Sequence, residues 1–278
     1  MDISDELDED EASYFQSLTG VLRLIMELGR VDICCELSMF SSHLSLPHQG
    51  HLEEVLHMFS YLKIHTNSEM VFEPSRVEFN KTLFPKKDWG YSIYAQASSD
   101  SQEELPPNMP KPRGRGVDMR VYVDSDHAGD TVTRRSRTGF MIFLNGAPIY
   151  WSSKKQTSCE TSSFGSEFFA MKQATEYIKG FHYKLRMMGI PVEDPTFIFG
   201  DNQSVLANTT MPEYQLKKKT QSIAYHFLRE GCARDEWRTA YISTHENVAD
   251  LLTKPLPSGE KGWKFLRMLL HHLAPQGV

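Results

Sequence analysis

Between residues 97 and 116 the hydrophobic pattern of this chain changes its period, and nothing else in the sequence constrains the fold as strongly. Before that stretch, Leu18, Val21, Leu22, Ile25 and Met26 recur at helical spacing. Leu52, Val55, Leu56, Phe59 and Leu62 do the same, with Pro47 and Gly50 punctuating the interval between the two runs. After it, Met119–Asp124 alternates apolar and polar residues and ends in acids. Thr138–Leu144 and Ala147–Trp151 then flank Asn145-Gly146, a dipeptide suited to a two-residue hairpin turn because both residues tolerate positive φ. The stretch 97–116 itself holds four prolines and two glycines. It reads as an extended linker and the best domain boundary. Residues 64–96 show no assignable pattern.

The strand-like half continues with a long helix. Phe164, Phe168, Met171, Ala174, Ile178, Phe181, Leu185 and Met188 step by three or four, Thr161, Ser162 or Ser163 can cap its start, and Gly189 can end it. Thr196–Gly200 is a short strand running into Asp201. Helical segments come next near 202–208 and 220–232, then a strand over Trp237–Ser243, then two helices flanking Pro255 and Pro257. Strands and helices in this order predict an α/β domain over 117–278, a mixed sheet covered by helices. The expected division is 1–12 as an acidic disordered tail, 13–96 as a mainly helical segment, 97–116 as linker and 117–278 as the α/β domain.

The bulk composition, 40% apolar and 24% charged over 278 residues, is that of a globular protein with a sizeable core. No apolar run approaches the ~18 residues of a membrane span, so no membrane partner is expected. Cys34, Cys35, Cys159 and Cys232 make no spaced disulfide framework, which fits a reduced, intracellular setting. The net charge of −6 argues against nucleic-acid binding by the surface as a whole. Local clusters argue the other way: Lys111 with Arg113 and Arg115, Arg134-Arg135-Ser136-Arg137, Lys154-Lys155, and Lys217-Lys218-Lys219. Any one of them alone reads as a solvated face; together they leave a nucleic-acid face open beside that reading, a phosphate track using Arg134, Arg135, Ser136, Lys154, Lys155, Lys217, Lys218 and Lys219.

Asp124 and Asp201 each end a strand, where ligands of open α/β sheets bind. Glu167 lies at the edge of the long helix's buried stripe, and Asp250 opens a late helix. Carboxylates converging on one rim repel one another unless cations neutralise them. Hard oxygen ligands with open positions suit Mg²⁺ or Mn²⁺. Two such ions about 4 Å apart can activate a water and stabilise the leaving oxygen of a phosphodiester. A lone strand-end Asp is also an ordinary turn residue, and Asp250 also suits a helix N-terminus. Asp130, six residues past Asp124, is expected to contribute little.

A longer pattern narrows the choice. Val123-Asp124-Ser-Asp126-His-Ala-Gly-Asp130, Arg134-Arg-Ser136-Arg-Thr138-Gly139, Pro148-Ile-Tyr-Trp151-Ser-Ser-Lys-Lys-Gln156 and Ser163-Phe-Gly-Ser-Glu167-Phe-Phe-Ala170 occur in order. Asp201-Asn202-Gln203-Ser204, Tyr225-His226-Phe227-Leu-Arg229-Glu230 and Ala249-Asp250-Leu-Leu-Thr253-Lys254-Pro255-Leu256 continue the run. This series resembles the ribonuclease H domain of copia-type LTR retrotransposons. Tyr14, Leu18-Thr-Gly20, Asp32-Ile33, Pro47, His51 and Tyr61-Leu62-Lys63 resemble the C-terminal helices of the reverse transcriptase that precedes it, making 13–96 a remnant of the thumb or connection.

The resemblance implies a ribonuclease H-like, five-stranded mixed sheet flanked by helices, with Asp124, Glu167, Asp201 and Asp250 as both catalytic acids and metal ligands for two Mg²⁺ or Mn²⁺ ions. It implies endonucleolytic cutting of the RNA strand of an RNA–DNA hybrid, with the polymerase part of the same Pol polyprotein as a further partner. It also implies a cytoplasmic, virus-like-particle or nuclear location. Asp126 has an open role. The sequence departs from the family at His127, Gly165, Ser166, Thr220 and Ser222, none of which is one of the four acids. No Tyr-x-Asp-Asp polymerase strand occurs, so no polymerisation is expected of this chain.

Smaller signals have ordinary readings beside functional ones. His245 precedes the fourth acid, where related nucleases carry a mobile histidine, but it also reads as an exposed loop residue. His226 reads as structural, and Trp151 and Trp237 as core residues rather than base-stacking platforms. Ser136 can grip phosphate or cap a turn. Two rivals to the nuclease reading remain: a decayed fragment that only binds nucleic acid or supports structure, and an integrase or transposase. Those last enzymes use three acids ending in a glutamate on a late helix, whereas Glu167 lies on the first long one.

Overall fold

The computed structural model describes residues 3–96, 107–192, 194–215, 222–255 and 260–271. The first part is helical: α1 (Glu9–Glu27), α2 (Cys34–Phe40) and α3 (Gln49–Ile64), followed by a short strand β1 (Glu69–Met70). The second part runs β2 (Met119–Asp126), β3 (Arg137–Leu144), β4 (Ala147–Lys155), α4 (Ser163–Met187), β5 (Thr196–Gly200), α5 (Gln203–Thr210), α6 (Ser222–Ala233) and β6 (Trp237–Tyr241). A 3₁₀ turn (Val248–Leu252), α7 (Glu260–Leu269) and β7 (Leu270–His271) close it. No helix among the described residues is long and apolar enough to cross a membrane.

β2 to β6 form a five-stranded sheet in the order β4-β3-β2-β5-β6. β2, β3 and β4 are antiparallel, and the Asn145-Gly146 turn joins the last two. β5 lies parallel to both β2 and β6. A parallel neighbour needs a crossover, and α4 supplies it between β4 and β5. Every residue of β5 is buried, as expected for a strand covered on both faces, which is why Phe-Ile-Phe reads as a continuous apolar run. This mixed, helix-flanked sheet is the ribonuclease H-like arrangement. On one face Val121, Val123, Phe140 and Ile142 pack against Phe168, Met171, Ala174 and Ile178 of α4.

The opposite face is where the structure departs from expectation. Met141 and Phe143 share one buried cluster with Val31 and Cys34 from the N-terminal part, and with Leu251, Leu252, Phe265 and Leu266. Phe84 packs on Phe197 and Phe199 with ring centroids 5.0 and 4.9 Å away. Trp151 Nε1 donates to Met26 Sδ at 3.1 Å, and Arg137 donates to Ser38 Oγ at 2.5 Å. Arg229 is fully buried between the rings of Trp89, Tyr94 and Tyr225 and donates to the carbonyls of Asn208, Met211 and Pro212. β1 and β7 pair as a two-stranded ribbon that ties the early and late chain together.

The segment before the linker is therefore not a separate unit: the apolar outer face of the sheet needs cover, and residues 3–96 provide much of it. The tail is corrected too. Asp8 caps α1 in a reciprocal capping box with Glu11, and Leu7 N bonds Pro47 O at 3.1 Å. Of the acids read as a disordered tail, Asp8 is an N-cap and Glu9, Asp10 and Glu11 form a first helical turn, where negative charge meets the positive end of the helix dipole.

Candidate active site

Because β2 and β5 are parallel neighbours, with Tyr122 opposite Phe199, their carboxyl ends open at the same edge of the sheet. Asp124 emerges from one and Asp201 follows the other directly. Glu167 comes from the start of α4, where Ser162 caps the helix by accepting from Gly165 N. Carboxylate oxygens of Asp124, Glu167 and Asp201 all lie within 4.8 Å of one another. Burial, reinforced by Asp124 and Asp201, pushes the Glu167 carboxyl up to about 9. Burial likewise pushes Asp124 up to about 6, against a hydrogen bond from Thr253 and the charge of Lys254. Thr244 Oγ1 donates to Asp201 Oδ2 at 2.8 Å.

The fourth predicted acid is adjacent but differently engaged. Asp250 lies in the 3₁₀ turn Val248–Leu252, which Asn247 caps while donating its Nδ2 to Val123 O at 2.9 Å. That turn packs directly over Gly139: a Cβ there would come within 2.6 Å of Thr253 Cγ2 and 3.0 Å of Ala249 O. The close approach lets Thr253 Oγ1 donate to Asp124 Oδ2. Asp250 stays outside the group of three and ion-pairs with Lys254 Nζ at 2.5 Å. Burial raises the pKa of Asp126, against Lys254 and Arg137.

The predicted phosphate contacts fare unevenly. Arg134 is exposed and adopts φ 56° in the loop after Asp130. Ser136 is fully buried and its Oγ accepts from Ala128 N at 3.1 Å, a turn role. Lys155 pairs with Asp130 at 2.9 Å, and Lys154 Nζ donates to Tyr177 OH at 3.2 Å. Lys217, Lys218 and Lys219 lie outside the described residues. A cleft of about 770 Å³ lies between residues 39–51 and 126–137, with His43, His51, Arg135, Arg137 and Lys155 on its walls and with Asp126 and Thr253, the latter bonded to Asp124, also lining it. Its first wall belongs to the N-terminal part, which no reading of the α/β domain alone supplies.

His245 is exposed, and His226 Nδ1 lies 2.6 Å from Tyr94 OH. Trp237 is buried and donates Nε1–H to Leu228 O at 3.1 Å, a packing role. The sequence pattern contains Gln156, Thr253 and Lys254 without revealing what they do. Gln156 Nε2 sits beneath the site and donates to Thr138 Oγ1 at 3.0 Å and Ser166 O at 2.9 Å, tying β3 to α4. Isolated polar residues of this kind have no periodicity that could have flagged them.

No family model matches the chain. Among curated proteins it is similar to the retrovirus-related Pol polyprotein from transposon RE2 of Arabidopsis thaliana, 32% identical over 144 residues, 52% of this chain and 10% of that protein. The corresponding polyprotein from transposon TNT 1-94 of Nicotiana tabacum is 30% identical over 139 residues, 50% of this chain and 10% of the relative. The transposon Ty1-JR2 Gag-Pol polyprotein of Saccharomyces cerevisiae is 22% identical over 178 residues, 63% of this chain and 10% of that one. The match thus spans about a tenth of the length of each of these three relatives. Among solved structures, LC11-RNase H1 in complex with RNA/DNA hybrid superposes with a TM-score of 0.40 at 19% identity, covering 49% of this chain and 93% of that one. The foamy viral protease-reverse transcriptase in complex with double-stranded DNA gives 0.41 at 12%, covering 88% and 33%. These superpositions are loose. These relatives of the chain are Pol polyproteins of copia-type retrotransposons, and its five-stranded sheet with flanking helices is ribonuclease H-like.

Proposed function

We propose that this chain is a divalent-metal-dependent endonuclease of the ribonuclease H type, cutting the RNA strand of RNA–DNA hybrids. The observation that carries the reading is the convergence of Asp124, Glu167 and Asp201 within 4.8 Å at the carboxyl edge of the sheet. A cluster that forces a carboxyl up to about 9 is short of positive charge, and its donors are hard oxygens with room for further ligands. The residues present fit Mg²⁺ or Mn²⁺, held by Asp124, Glu167 and Asp201, with Asp250 as the fourth acid of a two-ion site. Such ions, when bound, supply an activated water and charge stabilisation at the leaving oxygen. The chain's own part is positioning. Thr253 and Thr244 orient Asp124 and Asp201 through hydrogen bonds, and Gln156 fixes the start of α4 against β3. The cleft walled by Arg135, Arg137 and Lys155 suits a phosphate backbone, with Thr253 linking its lining to Asp124, and a hybrid would be read by shape, phosphate and 2′-hydroxyl contacts.

The test is a cleavage assay on a labelled hybrid. The RNA strand is expected to be cut with Mg²⁺ or Mn²⁺ and left intact in EDTA, while duplex DNA is untouched. Asp201→Asn is expected to reduce the rate by about a hundredfold or more, because a lost ligand weakens both contributions of the metal. Cleavage unaffected by EDTA would overturn the reading. Salt-sensitive hybrid binding with no cleavage under any metal would favour a piece that only binds nucleic acid.

A further inference from the structure

The acid cluster contains a cation of its own. Lys254 stands just beyond the 3₁₀ turn, its backbone N bonded to Asp250 O at 3.3 Å and its Nζ paired with Asp250 Oδ1 at 2.5 Å. The preceding residue, Thr253, is buried and hydrogen-bonded to Asp124, so Lys254 is anchored to the site from both sides. Asp250, meanwhile, is the one predicted acid that does not join the other three.

We propose that Lys254 is a positioning residue that holds the Asp250 side of the cluster in place of a second divalent ion. By itself the chain then takes one ion on Asp124, Glu167 and Asp201, and a second only when Lys254 is displaced. An ammonium and a divalent ion cannot share one carboxylate at close range without strong repulsion. A lysine is a compact charge on a flexible stem, and this one is 47% exposed, which leaves it a path out of the site. The inference rests on the metal-nuclease reading of the same acids.

It is tested by titrating the full chain with Mn²⁺ in a calorimeter, without nucleic acid. Wild type is expected to bind one ion, Lys254→Met two, and Lys254→Arg one. In the electron paramagnetic resonance spectrum, a spin-coupled Mn²⁺ pair is expected for Lys254→Met only. Circular dichroism establishes that the variant folds, and Lys254→Gln replaces it if it does not. Equal ion counts in wild type and Lys254→Met would overturn this inference and leave the nuclease reading standing, as would loss of the single ion in Lys254→Met. No ion in either protein would overturn the metal reading and this inference with it. Loss of the ion in Asp201→Asn, in the same titration, places it on the acid cluster.

Discussion

Asp130 reads as a spare loop acid in the sequence, and its neighbours show otherwise. Its carboxylate accepts from Val132 N at 3.0 Å and Thr133 N at 2.7 Å and pairs with Lys155. Burial opposes its charge, but the Thr133 and Lys155 contacts prevail and hold its pKa below the usual carboxylate range. A depressed carboxylate pKa adds stability that is present above the ordinary value and lost as pH falls through the lowered one. Asp130→Asn should therefore cost about 1 kcal/mol near neutrality and flatten the acid limb of a stability-versus-pH curve followed by urea unfolding. An unchanged acid limb would show the contacts to be energetically idle. Glu167 has the opposite sign. Its raised pKa makes metal-free stability decline as pH rises from the ordinary glutamate range toward about 9. Glu167→Gln should remove that decline and raise metal-free stability at pH 7 by ~1–3 kcal/mol. It should also shrink the gain in melting temperature that Mg²⁺ gives the wild type. Equal Mg²⁺ shifts in both proteins would remove Glu167 from the ligand set.

At the scale of elements, the decisive contact is the 3₁₀ turn Val248–Leu252 resting across β3 at Gly139. Register sets Gly139 opposite Asp124, so whatever lies over Gly139 also lies beside the first acid of the cluster. Gly139→Ala would place a methyl 2.6 Å from Thr253 Cγ2 and 2.8 Å from Leu252 Cβ, which the turn can relieve only by lifting off. The expected cost is ~1–3 kcal/mol, typical of overpacking. The loss of hybrid cleavage is expected to be larger than that of Thr253→Val, which removes the hydrogen bond but keeps the turn seated. Equal rates in wild type and Gly139→Ala would show that the turn's position does not matter to the site.

Over the whole molecule, the outer face of the sheet decides how the parts behave. Met141, Phe143, Phe197 and Phe199 are covered partly by Val31, Cys34 and Phe84, and Arg229 is clamped by Trp89 and Tyr94. Residues 117–278 expressed alone should expose these groups, bind a hydrophobic dye and melt well below the full chain. The full chain should unfold in one cooperative transition, because its two parts share cores. Cleavage between 97 and 116 should leave both pieces associated in gel filtration. Two separate transitions, or a fully stable isolated 117–278, would show the shared cores to be dispensable.

How much of this was legible in the sequence differs by feature. Hydrophobic period and turn chemistry are local properties, so strands over 119–124, 138–144, 147–151 and 196–200, the long helix after Ser162 and the order of the elements can be read from the chain, although three of those strands run one to four residues further in the structure. The placing of Asp124 and Asp201 at strand ends can be read too, although a strand-end acid is also an ordinary turn residue and it is the family resemblance that singles them out. Neither period nor spacing says which distant groups meet. The sharing of cores across a proline-rich stretch, the seating of a 3₁₀ turn on Gly139 and the capture of Asp250 by Lys254 each depend on one residue meeting the shape or charge of another in three dimensions. Local pattern records whether a face is apolar; only the packed structure settles which segment covers it and which charge sits beside it.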